Sequence, residues 1–494
     1  MASRLLRIAC WLLAAAAVAV ALQALARYQL RAQLRHEAVA FLSPLLRGDT
    51  PYRWPLDTPT ALIGRRVHGD CTAEIDADGL LLRQGSPNCE VALRLPAPLD
   101  LRRFTRLRIE AAGPLPPFQV QLREHLDEPQ HLAAVDSAAN GLVRLDRLDW
   151  RLDTAETTTP PRRAAMLRLR WGELTADLRL RGVTLLPEDR APWRAATISP
   201  SLQTDLALPL RADTAPLFGV DPALRPETVL QRRDSVREHE PAAVIVAIPD
   251  SAAVAAALRA AMDTSPPRQD HLGLAVLLIV TPLMALSWRR PRARDIRAVA
   301  QAALAVALPL WLVVGLRLGD DPDRLAKIAI GLTALHVAAL AHSDTARSWR
   351  WLGGLRAWAY AAIAPLLSLL IVLTLGQPGA RAAIAPAAVA GYLLWALLQQ
   401  YLIGAVVADR LCLAGLSRHW VVLVAATLFA LLHAPNATLM LATFAGGLIW
   451  STTWLQQRSL LPQAVSHVAA AVLLTTGLPP EWLRSAEVSL RYFL

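Results

Sequence analysis

From residue 271 onward the chain carries eight apolar segments, at about 272–288, 298–316, 325–342, 357–376, 382–407, 420–435, 437–455 and 460–477. Runs of that length cross a hydrocarbon core about 30 Å thick when coiled as helices rising about 1.5 Å per residue. Lipid offers a backbone no hydrogen-bond partners, so a helix, which satisfies itself, is the conformation such runs can take there. The pattern predicts a polytopic α-helical membrane domain over 271–494, with about eight transmembrane helices. Composition agrees: charged residues are 18% of the chain and its mean hydropathy is +0.33, against roughly 25% charged in soluble proteins.

The connections between these segments carry charge unevenly. Arg289, Arg290, Arg292, Arg294 and Arg297 follow the first segment, and Arg347, Arg350 and Arg356 follow the third. Arg410 and Arg418 follow the fifth, and Arg458 the seventh. The opposite loops hold only Arg317, Arg324, Lys327 and Arg381. Basic residues accumulate on cytoplasmic loops, which places the first set inside. The net charge of +11 is therefore mainly a topology signal: residues 271–494 hold 17 basic and 8 acidic residues. No nucleic-acid partner is expected; the lipid bilayer is.

Residues 8–26 (IACWLLAAAAVAVALQALA) are uncharged and follow Arg4 and Arg7. The run is long for a cleaved signal, so 1–26 reads as a signal anchor helix, with Ala24-Leu25-Ala26 as a cleavage site in the alternative. With the N-terminus inside, the polar stretch up to 270 lies outside the cytoplasm, in agreement with the arginine count. Together these place the chain as a multi-pass protein of a bacterial inner membrane, with 27–270 extracytoplasmic.

After a linker over 27–63, residues 64–187 alternate apolar and polar side chains in Leu107-Arg108-Ile109-Glu110, Val120-Gln121-Leu122, Leu167-Arg168-Leu169-Arg170-Trp171 and Leu178-Arg179-Leu180-Arg181. Period two is the mark of strands buried on one face. Gly113-Pro114, Asn140-Gly141 and Pro160-Pro161 separate them, predicting a β-sandwich of about eight short strands. Cys71 and Cys89 bracket a polar stretch and form a disulfide if that stretch meets an oxidising compartment. Residues 188–270 read as a small α/β or irregular extracytoplasmic segment, with an apolar run Ala242–Ile248 and an Ala-rich helix at 251–262.

Polar groups inside a membrane segment are expensive and call for a function. Three places stand out: Gln399-Gln400 in the fifth segment, Phe429 to Asn436 (FALLHAPN) around the sixth, and Ser466-His467 in the eighth. On a continuous helix Phe429, His433 and Asn436 share a face, although Pro435 interrupts the last step. A lone intramembrane His or Gln pair is also ordinary interhelical glue. Two histidines on separate helices with an amide pair on a third make a more specific set. His336 and His342 lack such a setting and read as structural or interfacial.

The stretch 385–475, and above all FALLHAPNATLMLATFAGGLIWSTTWLQQRSLLPQAVSHVAA, resembles the core of the CPBP family, the CAAX-protease and bacteriocin-processing intramembrane endopeptidases. Its FxxxH motif falls on Phe429 and His433, and its later histidine on His467. The resemblance implies hydrolysis of a membrane-associated protein or peptide. His433 and His467 would be catalytic or metal-holding, Gln399 and Gln400 catalytic, Phe429 and Asn436 binding, and a divalent metal such as zinc the cofactor. The β-rich region weakly resembles galactose-binding-like jelly rolls, which implies a glycan or peptide ligand there.

The departures bear directly on chemistry. The family's first motif, EExxxR, corresponds here to Gln399, Gln400 and Gly404, and the Asn that often follows the last histidine by four residues is Ala471. An amide orients water but does not take its proton, and losing a general base typically forfeits about 10² to 10⁴ in rate. Between Asp344 and Glu481 the only acid is Asp409. HExxH, CxxC, GxSxG and Walker A patterns are absent from the sequence, and Ser451 and Ser466 lack the Gly-containing turn of an intramembrane serine nucleophile. The sequence thus leads to an intramembrane endopeptidase, of intact or impaired activity, with two alternatives: an inactive membrane binding or scaffold protein, and a glycan-handling envelope protein working through its β-sandwich.

Overall fold

In the computed structural model, residues 2–187, 217–263, 296–310, 349–376 and 386–483 are described, with breaks at 48, 96–97, 125–128, 137, 154–156 and 160; positions 294, 328, 331–332 and 335–336 are described singly. The expected span 272–288, most of 325–342 and His342 lie outside the described residues. The chain divides into two compact units. A membrane unit comprises Met1–Leu30, Arg225–Thr228 and Pro267–Leu494, and a β-bearing unit comprises Arg31–Leu224 and Val229–Pro266.

In the β-bearing unit, one six-stranded antiparallel sheet runs Ala73–Asp76, Gly79–Leu82, Leu178–Leu186, Arg106–Ala111, Leu142–Arg144, and Arg53–Pro55 also pairs with Leu178–Leu186. A second sheet of six runs Thr157–Thr158, Trp150–Leu152, His131–Val135, Phe118–Arg123, Met166–Trp171, Cys89–Leu93. The alternating segments supply the faces that meet: Leu107, Ile109 and Leu180 from one sheet join Val120, Leu122, Leu167, Leu169 and Trp171 from the other in a single buried core. Each such side chain, taken fully from water, contributes about 1.5–3 kcal/mol. Cys71 and Cys89 are disulfide-bonded, with Cα atoms 4.9 Å apart.

Two parts of the expected linker are ordered structure. The N-terminal helix runs Ala2–Leu46, well past Ala26. Leu34, Ala38, Phe41 and Leu42 are buried along one stripe of it, the spacing of a helix face packed on a core. Arg53–Pro55 then enters the first sheet, with Trp54 opposite Val183; three residues are too few to show a period in sequence. Later in this unit, Leu217–Val220 and Val244–Ala247 pair in parallel, an arrangement that needs a crossover, and the helix Pro226–His239 lies between them in sequence. Glu37, on the first helix, accepts hydrogen bonds from Arg233 (3.4 Å) and Arg237 (2.9 Å).

Among the described residues, four helices are long and apolar enough to cross a membrane: Leu5–Leu46, Leu355–Leu375, Ala387–Leu413 and Ala437–Gln457. Ile296–Ala307 and Arg418–Leu431 are shorter apolar helices, and Leu461–Gly477 follows them. Leu366, Leu370 and Leu373 stand more than half exposed on Leu355–Leu375, as side chains meeting lipid do. The third spanning helix changes pitch midway: α-helix over Pro386–Tyr401, π-helix over Leu402–Ala408, then α-helix over Asp409–Leu413. Gly447 lets the Ala437–Gln457 helix approach Arg418–Leu431 closely, since a Cβ there would meet Ala426 Cα at 2.9 Å.

Candidate intramembrane site

Helical spacing brings the site together. On Pro386–Tyr401, Tyr392, Ala396 and Gln400 are four apart and share a face, with Ala396 and Gln400 buried. On Leu461–Gly477, Gln463, Ser466, His467 and Ala470 form one buried stripe. Phe429 lies near the end of Arg418–Leu431, and Trp450 on Ala437–Gln457.

His467 is held on every side. Gln400 Nε2 lies 3.3 Å from its Nδ1 and Tyr392 Oη lies 3.2 Å from its Nε2. As the amide stands, it donates to Nδ1, so the imidazole carries its proton on Nε2 and donates to the tyrosine oxygen. The Trp450 ring lies against it at 4.6 Å between centroids, and Phe429 meets it edge-on at 5.6 Å. Trp450 is anchored in turn: its Nε1 donates to Ser466 Oγ at 3.0 Å, and that hydroxyl donates to the carbonyl of Ala361.

His433 is arranged differently. Its Nδ1 lies 2.8 Å from the Phe429 carbonyl, and its ring packs edge-on against the Phe429 ring at 4.9 Å. A carbonyl only accepts, so Nδ1 carries the proton and Nε2 keeps a lone pair. Phe429 is thus packed against both histidines. Gln399 is half-buried, and its amide oxygen is buried without a hydrogen-bond partner.

The structure therefore gathers Gln400, Phe429, His433 and His467, with Gln399 beside Gln400 in sequence. Asn436 is used elsewhere. The Arg418–Leu431 helix ends before His433, so the shared face expected for His433 and Asn436 does not form. Asn436 instead caps the next helix, accepting from Leu439 N at 3.0 Å, and donates to the Leu483 carbonyl at 2.8 Å. Tyr392 and Trp450 were not foreseen; the eight-residue spacing from Tyr392 to Gln400 was the available signal. Asp409 is committed to a pair: both its oxygens accept from Arg458, at 2.9 and 2.7 Å, and Oδ1 also accepts from Trp454 Nε1. At the position matching the family's arginine, a Cβ on Gly404 would lie 2.6 Å from the Trp454 indole.

A catalytic zinc ion takes three protein ligands, usually His with a carboxylate or Cys, and one open position. Here His467 spends both nitrogens on Gln400 and Tyr392, which leaves His433 Nε2 and amide oxygens as donors. Among the described residues no three His, Cys, Asp or Glu lie together. This donor set does not fit a catalytic zinc ion.

An apolar helical bundle with a buried pair of histidines, set among amides and aromatic rings, defines a membrane protein with a buried polar cluster between its helices. Residues 381–473 match the family model described as Type II CAAX prenyl endopeptidase Rce1-like. That segment holds all of the gathered side chains. No curated protein and no solved structure matches the chain at a significant level.

Proposed function

We propose that the membrane unit is an intramembrane endopeptidase-type site for a membrane-associated polypeptide, with His433 as its base and a hydrolytic step slowed by the amides at 399 and 400. The hydrogen bond from His433 Nδ1 to the Phe429 carbonyl carries this reading, because it fixes the tautomer whose Nε2 takes a proton. Nε2 accepts a proton from water, the hydroxide adds to the peptide carbonyl, and the proton passes to the leaving amine as the C–N bond breaks. Gln400 and Tyr392 lock His467, and the unpartnered oxygen of Gln399 is an acceptor for the water or for a substrate N–H. Without a carboxylate base, a rate about 10² to 10⁴ below that of a dicarboxylate site is expected. The test is cleavage of a membrane-anchored reporter by the purified protein in liposomes. His433→Ala abolishes it, and unchanged cleavage in that variant removes the reading.

A second reading, a polypeptide-binding protein without turnover, is favoured by the engagement of both His467 nitrogens. It predicts saturable binding of the reporter with no product. Neither reading draws on a glycan ligand. In topology, the arginine asymmetry and the Cys71–Cys89 bond support a bacterial inner membrane with 1–26 as signal anchor. They also support an extracytoplasmic β-bearing unit, whose two sheets around one core we read as a β-sandwich.

A further inference from the structure

The membrane unit borrows a carboxylate from far away in sequence. Arg225–Thr228 groups with it, although the chain on either side belongs to the other unit. Glu227, only 4% exposed, accepts from the backbone N–H of Thr438 at 2.9 Å and from its hydroxyl at 3.0 Å. Thr438 is the second residue of the Ala437–Gln457 helix, where backbone N–H groups have no intrahelical acceptor and the helix dipole favours negative charge. Glu227 also lies in the first turn of its own helix, Pro226–His239. One carboxylate thus serves the N-terminal ends of two helices.

The turn it secures is the one that presents His433. Asn436, the cap residue just before Ala437, donates its N–H to the His433 carbonyl at 3.3 Å, and His433 N–H bonds to Ala430 O at 3.0 Å. Beside it, Asn436 bonds to Leu483, and the Arg225 guanidinium lies 5.1 Å over the Trp482 ring. A buried carboxylate that caps the helix following His433 acts on the site through the backbone.

We propose that Glu227 is a positioning residue for His433: by capping Thr438 it fixes the 433–438 turn and so the direction of His433 Nε2. The proposal rests on the reading of His433 as the base, and its structural part stands apart from turnover. Removing the carboxylate leaves the N–H of half-buried Thr438 without its acceptor. The first turn of the helix then opens, and the Asn436–His433 bond loosens with it. A glutamine at 227 keeps an acceptor oxygen and retains much of the cap.

The experiment is amide exchange by mass spectrometry on the full-length protein in lipid nanodiscs, together with cleavage of the membrane-anchored reporter. In Glu227→Ala, exchange rises at least tenfold both at 438–440 and at 432–434, while the Leu461–Gly477 helix is unchanged and shows that the unit is folded. Cleavage falls at least tenfold through kcat with KM unmoved, and Glu227→Gln restores most of both signals. Exchange that rises at 438–440 but not at 432–434 overturns the proposal, as does raised exchange in both with normal cleavage. If the wild type shows no cleavage, the endopeptidase reading fails, and exchange at 432–434 still decides whether Glu227 holds the turn.

Discussion

Gln400 Nε2 lies 3.3 Å from His467 Nδ1, a contact between residues 67 apart in sequence, at a position where the EExxxR motif of the family that this segment resembles has a glutamate. A carboxylate there accepts a hydrogen bond from Nδ1–H, and such a charge-assisted bond is about twice as strong as a neutral one. It also leaves Nε2 with a lone pair in place of the proton it now points at Tyr392.

Gln400→Glu is therefore expected to raise reporter cleavage by roughly 10²-fold, within the range a general base contributes. Adding Gln399→Glu carries it further. Initial rates in liposomes measure this. No gain in the double variant means that the amides are not what limits the site.

Restoring the family's arginine at 404 is a different matter. A Cβ on Gly404 meets the Trp454 indole at 2.6 to 3.0 Å, in a fully buried position. Even Gly404→Ala is expected to cost about 1–3 kcal/mol through overpacking. Combining it with Trp454→Ala should cost less than the sum of the two single changes, because the clash is removed. Thermal unfolding in detergent, run as a double-mutant cycle, gives the coupling; strict additivity would show that the indole does not occupy that space.

The Asp409–Arg458 pair ties the end of the third spanning helix to the residue that closes Ala437–Gln457. Asp409 is buried, and Arg458 stacks over Trp454 at 5.3 Å. Asp409→Ala removes the buried acceptor of two Arg458 hydrogen bonds and one from Trp454 Nε1, and is expected to destabilise by about 2 kcal/mol or more. Cleavage per folded molecule should be unchanged, since both Asp409 oxygens are engaged by Arg458 and Oδ1 also by Trp454. Loss of activity at full stability would place the carboxylate in the chemistry after all.

Much of this arrangement is legible in the sequence, and the exceptions have physical causes. Leu107, Ile109, Leu167 and Leu169 announced their strands because each sheet buries one face, and Gln400, His433 and His467, which the fold brings together, stood out because lipid penalises polar groups. Arg53–Pro55 is too short to show alternation. The helix beyond Ala26 was missed because its buried stripe of Leu34, Ala38, Phe41 and Leu42 is diluted by arginines on the other faces. Asn436 looked like a site residue because a helix was extended through Pro435; the chain instead breaks and spends the amide as a cap. Glu227 gave no signal at all. Its partner is 211 residues away, and only the folded backbone creates the unpaired N–H that it meets.

In the β-bearing unit, the Cys71–Cys89 bond closes a loop of 18 residues. Cross-linking at that separation stabilises by about 3 kcal/mol in the chain-entropy model. Cys71→Ser with Cys89→Ser should lower the stability of the unit by about that amount, followed by amide exchange in Cys89–Leu93 and Met166–Trp171 of the full chain. The bond should form in cells only when the unit has been translocated, so a thiol-trapping assay on protein kept in the cytoplasm is expected to find both cysteines free. Free thiols in the membrane-inserted protein would contradict the extracytoplasmic placement.

Acid should loosen the same unit. Hydrogen bonding from Arg179 holds Asp76 below the usual carboxylate range, and Arg144 does the same for Asp146. Asp177 is held down first by the backbone N–H of Gln84 and then by Arg83. A carboxylate whose folded value is depressed lends stability above its unfolded value, near pH 4, and that stability is lost as pH falls through the folded value. Amide exchange in Leu178–Leu186 and Leu142–Arg144 is therefore expected to be flat from neutrality down to about pH 4, after correction for intrinsic rates, and to rise below it. These carboxylates are solvent-facing, so the rise should be modest and should shrink in about 1 M salt, where the Debye length is near 3 Å. Arg144→Met and Arg179→Met together should flatten the acid limb. An unchanged limb in that double variant would assign the acid sensitivity to other groups.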